Sequence, residues 1–276
     1  MIMGTLFIVP TPIGNLEDIT LRALRVLREA ALIAAEDTRT SRVLTRHFDI
    51  NTPMTSYHEH NKLSKLDDIF AALQTADVAL ISDAGTPGIS DPGFELIAAA
   101  LARGYEVVPL PGACAITTAL VGSGLAADSF RYVGFLPRKT VALRARLEEL
   151  RSGRDTIVAY ESPYRLADTL ALVAEVMGGE RRVCVARELS KKFEQFYRGS
   201  ARELRDLFAA DNPRGEVTLV IAGADPGETR WSERQVRSAL RRRLAAGEAL
   251  SRAARDIAQA AGWPKNKVYQ LGIEDD

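Results

Sequence analysis

Val78-Ala79-Leu80-Ile81-Ser82-Asp83-Ala84-Gly85-Thr86-Pro87-Gly88 is the stretch that decides the fold. Four apolar residues in a row read as a buried strand, and they empty at once into glycine, proline and small polar residues. Open α/β sheets bind ligands outside the carboxyl ends of their strands, so such a strand end marks an architecture and a place to look for a site. The same rhythm extends toward the N-terminus. Leu6-Phe7-Ile8-Val9 runs into Pro10-Thr11-Pro12-Ile13-Gly14-Asn15, and Leu32 to Ala35 runs into Glu36-Asp37-Thr38-Arg39. Toward the C-terminus a helix is predicted from about Pro92, and a strand from Tyr105 to Leu110 leads into Pro111-Gly112-Ala113-Cys114. Leu21, Leu24, Val26, Leu27 and Ala31, with Thr20 placed to cap, recur at helical spacing, as do Leu63, Leu66, Ile69, Phe70 and Leu73.

Alternating strands and helices over the first 223 residues predict α/β units around a largely parallel sheet, with residues 1–111 as one domain and 112–224 as a second. The second domain's strands are Tyr132-Val133-Gly134-Phe135, Ile157-Val158-Ala159-Tyr160, Val183-Cys184-Val185-Ala186 and Val217 to Ile221. Gln195-Phe196-Tyr197-Arg198 reads as a strand that reverses before a helix near Ala201, so some antiparallel pairing is expected there. Ala224-Asp225-Pro226-Gly227-Glu228 has the composition of a linker. Beyond it, Ser232 and Gln235 have capping-box spacing, Gly247 and Gly262 stop two helices, and Pro264 opens a third at Lys265-Asn266-Lys267. Helix, glycine-containing turn and short basic helix together form a helix-turn-helix-like pattern over 230–276.

Composition sets the outer bounds. Apolar residues make up 46% of the 276 and charged residues 26%, enough to build folded cores. No apolar run approaches the ~20 residues of a membrane span, and Met1-Ile2-Met3-Gly4 lacks the basic start of a secretory signal. Two cysteines, Cys114 and Cys184, exclude a disulfide scaffold and fit a reducing, cytoplasmic setting. The zero net charge conceals an asymmetry: residues 230–276 carry ten basic against six acidic side chains, and three of those acids are the last three residues. A basic module on a slightly acidic body points to a polyanionic partner, although a solvated basic helix has the same composition.

Neither G-x-G-x-x-G nor G-x-x-x-x-G-K-[ST] occurs, which argues against dinucleotide and P-loop triphosphate sites. Four Gly/Pro-rich loops at strand ends remain, the fourth being Tyr160-Glu161-Ser162-Pro163-Tyr164-Arg165. Glu36, Asp37, Glu161 and Glu188 are available there as bases, and Arg39, Arg165, Arg187 and Lys191 as cations. Glu36 with Arg39, and Arg187 with Glu188, read equally well as structural ion pairs. His58 and His60 form an H-x-H with no evident third ligand, so no metal is expected and a loop lining the substrate cleft is the better reading.

Val9 to Asn15, Ala35 to Arg39, Ser82 to Pro87, Pro109-Leu110-Pro111-Gly112 and Tyr160-Glu161-Ser162 together resemble the small-subunit ribosomal RNA methyltransferase branch of the tetrapyrrole methylase superfamily. The resemblance runs through essentially the whole chain, tail included. It implies two α/β/α domains with the active site in the cleft between them, S-adenosylmethionine as methyl donor, and homodimers. The implied activity is 2′-O-methylation of cytidine 1402 of 16S rRNA, with the small ribosomal subunit as partner. The superfamily's G-D-P-x-x motif aligns with Gly85-Thr86-Pro87-Gly88-Ile89, where Thr86 replaces the aspartate of the small-molecule enzymes. Its P-G-V-T-S turn aligns with Pro111-Gly112-Ala113-Cys114-Ala115, and two later strand ends set Tyr160 and Ala186 beside the adenine. The implied donor site is therefore Asp83, Ala84, Gly85, Thr86, Pro87, Ile89, Ala113, Cys114, Ala115, Tyr160 and Ala186. Glu36, Glu161 and Lys191 are the expected catalytic candidates, and no single one is identified as the base. Pro12, Asn15, Arg39, His58 and Arg165 in the cleft, with Lys265, Asn266 and Lys267 in the tail, are expected to meet RNA. Two alternatives share the fold: a methylase of a small tetrapyrrole, and a module that binds without catalysis. The basic tail favours RNA over the first, and the intact donor loops argue against the second.

Overall fold

The apolar run at 78–81 forms β4 (Val78–Ile81), the middle strand of a five-stranded parallel sheet. Its companions are β1 (Thr5–Ile8), β2 (Leu32–Ala35), β3 (Met54–Ser56) and β5 (Glu106–Pro109), in the order β3-β2-β4-β1-β5. Every residue of β4 is buried, because helices cover both faces of the sheet. Phe7, Val9, Ile33, Ala35, Ala79 and Ile81 face the core shared with α1 (Leu21–Glu29) and α2 (Thr38–His47). The alternate residues Leu6, Ile8, Ala34, Val78 and Leu80 face α3 (Leu66–Leu73) and α4 (Phe94–Ala102). The computed structural model describes residues 4–59, 61, 63–210, 214–225, 231 and 233–274.

The chain passes to a second sheet between Pro109 and α5 (Ala115–Ser123). That sheet has the order β6-β7-β10-β8-β9, from β6 (Phe130–Phe135), β7 (Thr156–Glu161), β8 (Arg182–Arg187), β9 (Gln195–Ser200) and β10 (Val217–Ile221). The expected parallel pattern holds throughout the first sheet, but here only β6 and β7 run parallel. The cause is chain length. Residues 188–194 join β8 to β9, too few for the crossover that a parallel neighbour needs, and β10 then enters between β7 and β8 against both. One face packs on α6 (Thr140–Leu150), α7 (Leu166–Met177) and α8 (Ala201–Ala210). The other face, with Val158, Cys184 and Val220, packs on α5 and on Ile13 from the first domain.

Three helices follow: α9 (Glu233–Ala245), α10 (Leu250–Ala261) and α11 (Lys265–Glu274). They share a core of their own, built on Val236, Leu240, Ile257, Val268 and Leu271. Gly262, left-handed at φ 64°, ends α10, and three residues later α11 begins. The Trp263 indole N–H donates to the Trp231 carbonyl at 2.6 Å and pins that turn to the start of the module. Ser232, the linker residues Pro226 to Glu228, and Asp275 and Asp276 lie outside the described residues. No helix among the described residues is long and apolar enough to cross a membrane.

Candidate functional site

β1 and β4 are neighbours, yet the chain leaves β1 toward β2 and leaves β4 toward β5, so a crevice opens at their carboxyl ends. The two loops flanking it are bound to each other. Thr11 and Gly85 exchange both backbone hydrogen bonds at 2.9 Å, and the Thr11 hydroxyl donates to the Ser82 carbonyl at 3.0 Å. The Thr86 hydroxyl donates to the Ala113 carbonyl at 3.2 Å, adding the loop after β5 to the same unit. Gly85 sits at φ 77°, where a β-branched side chain is a steric outlier. A Cβ on Gly93, at φ 155°, would stand 3.0 Å from the Gly88 nitrogen, so the loop can close on itself only with glycine there.

These loops form one wall of a cavity of about 350 Å³ between the two sheets. Ile13, Gly85, Thr86, Ile89, Asp91 and Cys114 line the first side, and Phe135, Tyr160, Glu161, Glu216 and Thr218 the second. The Tyr160 ring lies 5.4 Å from both Tyr132 and Phe135. Residues 132 and 135 fall on opposite faces of a regular strand; a register shift between them, with Gly134 at φ 71°, brings both to Tyr160. Phe135 remains 64% exposed there, an aromatic face open at the rim. The Tyr132 hydroxyl is 2.5 Å from that of Ser90 and clasps the two walls. Burial raises the phenols of both Tyr132 and Tyr160 above the ordinary range. A larger groove of about 820 Å³ lies at the other end of the second sheet, lined by Arg151, Arg154, Arg181 and Trp231, far from these strand-end loops. The smaller cavity is the better candidate, because the switch-point loops build it.

Carboxylates crowd the first-sheet edge of the cavity. The Asp83 amide donates to Glu36 at 3.2 Å, and the Asp37 amide to Asp83 at 3.1 Å. Asp37 caps α2 and holds the Arg39 guanidinium at 2.7 Å, which lowers its carboxyl to about 2. Burial raises Asp83. Asp91 is pushed up to about 6, first by burial, then by the negative charge of Glu36, with a smaller contribution from Asp83.

Several residues singled out in the sequence have other partners. Glu161 is buried and accepts from the Thr169 hydroxyl at 2.7 Å, the Ser162 amide at 2.6 Å and the Arg165 guanidinium. Arg165 also donates to the carbonyls of Leu136 and Pro137, which ties the β6 and β7 ends together. Lys191 pairs with Glu188 at 2.9 Å and Glu216 at 3.1 Å; burial pulls its pKa down, but these two partners outweigh that and leave it raised. Its stem lies against Gly14, where a Cβ would come 2.4 Å from Lys191 Cγ. Ala84, Gly85, Thr86, Ile89, Cys114, Ala115 and Tyr160 line the cavity. Asp83 and Pro12 line an adjoining hollow of about 220 Å³, and Ala186 is buried in the layer beneath. The Asn15 side chain accepts from the Glu17 amide, and the His58 amide donates to Asn61, while His60 lies outside the described residues. Among the described residues no group of three His, Cys, Asp or Glu is placed to hold a metal ion. Lys265, Asn266 and Lys267 are exposed in the first turn of α11. Asp91, Phe135, Tyr132 and Glu216 were not singled out as site residues from sequence; the Asp91-Pro92-Gly93 continuation of the β4 loop and the Gly134-Phe135 pair were the available signals.

The model of the family Tetrapyrrole (Corrin/Porphyrin) Methylases matches residues 5–205. Among curated proteins, the chain is 46% identical to ribosomal RNA small subunit methyltransferase I of Synechocystis sp., over 99% of this chain and 98% of the relative. It is 47% identical to the protein of the same name from Pseudomonas aeruginosa, with the same coverage of 99% and 98%. Among solved structures it is similar to uroporphyrin-III C-methyl transferase of Thermus thermophilus complexed with S-adenyl homocysteine. That likeness has a TM-score of 0.58 at 17% identity, covers 79% of this chain and 97% of the other, and is a likeness of fold.

Proposed function

We infer the function from one premise: the chain belongs to the tetrapyrrole methylase family and, within it, to ribosomal RNA small subunit methyltransferase I. It is an S-adenosylmethionine-dependent methyltransferase. We propose that its acceptor is small-subunit ribosomal RNA and that the methyl group goes to the ribose 2′-hydroxyl of cytidine 1402 in the 16S molecule. The observation that carries this reading is the extent of the likeness. The rRNA methyltransferases match almost end to end, basic tail included, whereas the uroporphyrin-III enzyme covers 79% of the chain.

The cavity suits the donor. Its volume falls within the range of about 300–1,000 Å³ typical of small-molecule sites, and it joins an aromatic wall to a glycine loop whose backbone a ligand can approach closely. When bound, S-adenosylmethionine supplies an activated methyl group, so the protein's main task is to align the acceptor oxygen with it. In this reading Gly85, Thr86 and Ala115 hold the donor from one wall and Tyr160 and Thr218 from the other. Phe135 at the rim offers a stacking face to a base, and Arg39, 85% exposed, a cation to a phosphate. The tail engages the RNA backbone through Lys265, Asn266 and Lys267, at a helix start that favours anions. We propose a homodimer as well, which sedimentation of the full chain would test.

The test offers methyl-labelled S-adenosylmethionine with either unmodified small ribosomal subunits or a tetrapyrrole. Label in rRNA supports the proposal. Label in the tetrapyrrole alone overturns it.

A further inference from the structure

We propose that one edge of the second sheet is a platform for an unpaired RNA strand. Nucleobases stack there on Phe135, Tyr164 and Phe193, and Arg138, Lys139 and Lys192 hold their phosphates. This platform rests on the rRNA reading above and deepens it: the RNA around the acceptor is presented as a single strand, not as a duplex. Strand direction brings the three aromatics to one edge. β6 runs parallel to β7, and β10 runs antiparallel to both β7 and β8, so β6, β7 and β8 all end on the same side of the sheet. Phe135 ends β6, Tyr164 follows β7 and Phe193 follows β8. The edge is continuous with the cavity, which Phe135, Pro163 and Glu216 line. Tyr164 is 81% exposed and Phe193 62%, as open to solvent as Phe135.

The loops that carry these rings are fixed in advance. Arg165 donates to the Leu136 and Pro137 carbonyls and pairs with buried Glu161, which joins the loop after β6 to the short 3₁₀ turn Pro163–Arg165 that bears Tyr164. After β8, Glu188 and Ser190 are left-handed at φ 52° and 62°. In the same turn the Lys191 amide donates to the Glu188 carbonyl at 3.0 Å, and the Glu194 amide to the Lys191 carbonyl at 3.1 Å. Aromatic faces on such loops lose little freedom when a ligand stacks on them.

Charge selects the occupant. Arg138, Lys139 and Lys192 are exposed, and none forms an ion pair among the described residues. The acids of the same loops have local partners: Glu161 pairs with Arg165, Glu188 and Glu216 pair with Lys191, and Glu194 accepts the Ser190 amide. A second copy of the chain seated here would bury three cations that have no counter-charge on this surface, whereas RNA brings phosphates to them. A base offers its face to an aromatic ring only when it is unpaired. Duplex RNA presents mainly phosphates and 2′-hydroxyls, which the rings cannot use.

The test uses the full chain and a labelled oligoribonucleotide of about 12 nucleotides, either single-stranded or annealed to its complement. Tyr164→Ala with Phe193→Ala should weaken binding of the single strand about 10-fold or more, with duplex affinity and melting temperature as in wild type. Tyr164→Trp with Phe193→Trp should restore the single-strand affinity, because a ring is again present to stack on. Arg138→Ala, Lys139→Ala and Lys192→Ala together should flatten the slope of log affinity against log salt for the single strand by about 2. Methylation of small ribosomal subunits by the alanine pair should need a higher subunit concentration for half-maximal rate. Equal losses on single strand and duplex, or no loss on either, overturn the platform. A wild-type dimer that the alanine pair converts to monomers in sedimentation overturns it in favour of a subunit contact. The two readings fail separately: a wild type that puts no methyl on rRNA overturns the acceptor, while the oligonucleotide losses uphold or overturn the platform.

Discussion

The rim of the cavity and the helical tail carry opposite charge and are built by opposite means. At the rim, the Asp83 amide donates to Glu36 and the Asp37 amide to Asp83. Asp91 stands in the same loop as Asp83, so the cluster sits on loops leaving two parallel strands, β2 and β4. Such a cluster repels phosphate and cannot itself attract a polyanion. The tail has its own small core and spends its surface on basic residues, part of them balanced locally, as Arg237 is by Glu233 and Glu274, and Arg243 by Glu248 and Asp256. Lys267, 5.4 Å from the Trp263 ring, and Lys265 stand at a helix start where the dipole also favours anions. On the function proposed above, affinity for RNA and the chemistry performed on it belong to different parts of the chain.

Three perturbations sharpen or break that division. The largest effect is expected at Glu161. Replacing it with alanine strips Arg165, Thr169 and the Ser162 amide of a buried partner, which costs about 3–5 kcal/mol, read as a large drop in melting temperature. A variant as stable as wild type would show that the β7 end does not depend on this ion pair.

Next comes Gly85→Val. A β-branched residue at φ 77° costs about 1–3 kcal/mol, and the distorted loop should lose up to about 100-fold in donor affinity by calorimetry while the salt dependence of RNA binding stays as in wild type. Unchanged donor affinity would remove this loop from the site. A change in the salt dependence would break the division itself.

The smallest effect is expected in the tail. Lys265→Ala with Lys267→Ala should flatten the slope of log affinity against log salt by about 1.4–1.8 and leave donor affinity and melting temperature unaltered. An identical slope would mean that these lysines only decorate a helix.

Much of the body was legible because its signals are local. The run at 78–81 and the loop behind it announce a buried strand and a glycine-rich strand end, all within a dozen residues. β3 and α2 were not legible. Met54–Ser56 is only three residues long, and α2 buries Ser41 and Thr45 beside Leu44, so its inner face lacks an apolar stripe. The antiparallel insertion of β10 between β7 and β8 depends on how strands pair across the sheet, which no local pattern encodes. The site divides the same way. Loop chemistry marked the segments that hold Gly85, Thr86, Cys114 and Tyr160, and the family resemblance singled out those residues, but the Glu161–Arg165 pairing and the raised Asp91 carboxyl arise from tertiary neighbours. Asp91 is raised first by burial and then by Glu36, 55 positions away in sequence, so it looks ordinary until the chain folds and β2 and β4 lie side by side.

Methylation of a small-subunit rRNA ribose in this cavity is the activity proposed for the chain. It is tested most directly by incubating unmodified small ribosomal subunits with the full chain and S-adenosylmethionine, then mapping the new methyl group to a single nucleotide and atom. One methyl is expected, on the 2′-oxygen of cytidine 1402. A methyl on a base, on another nucleotide, or on no RNA at all would contradict it.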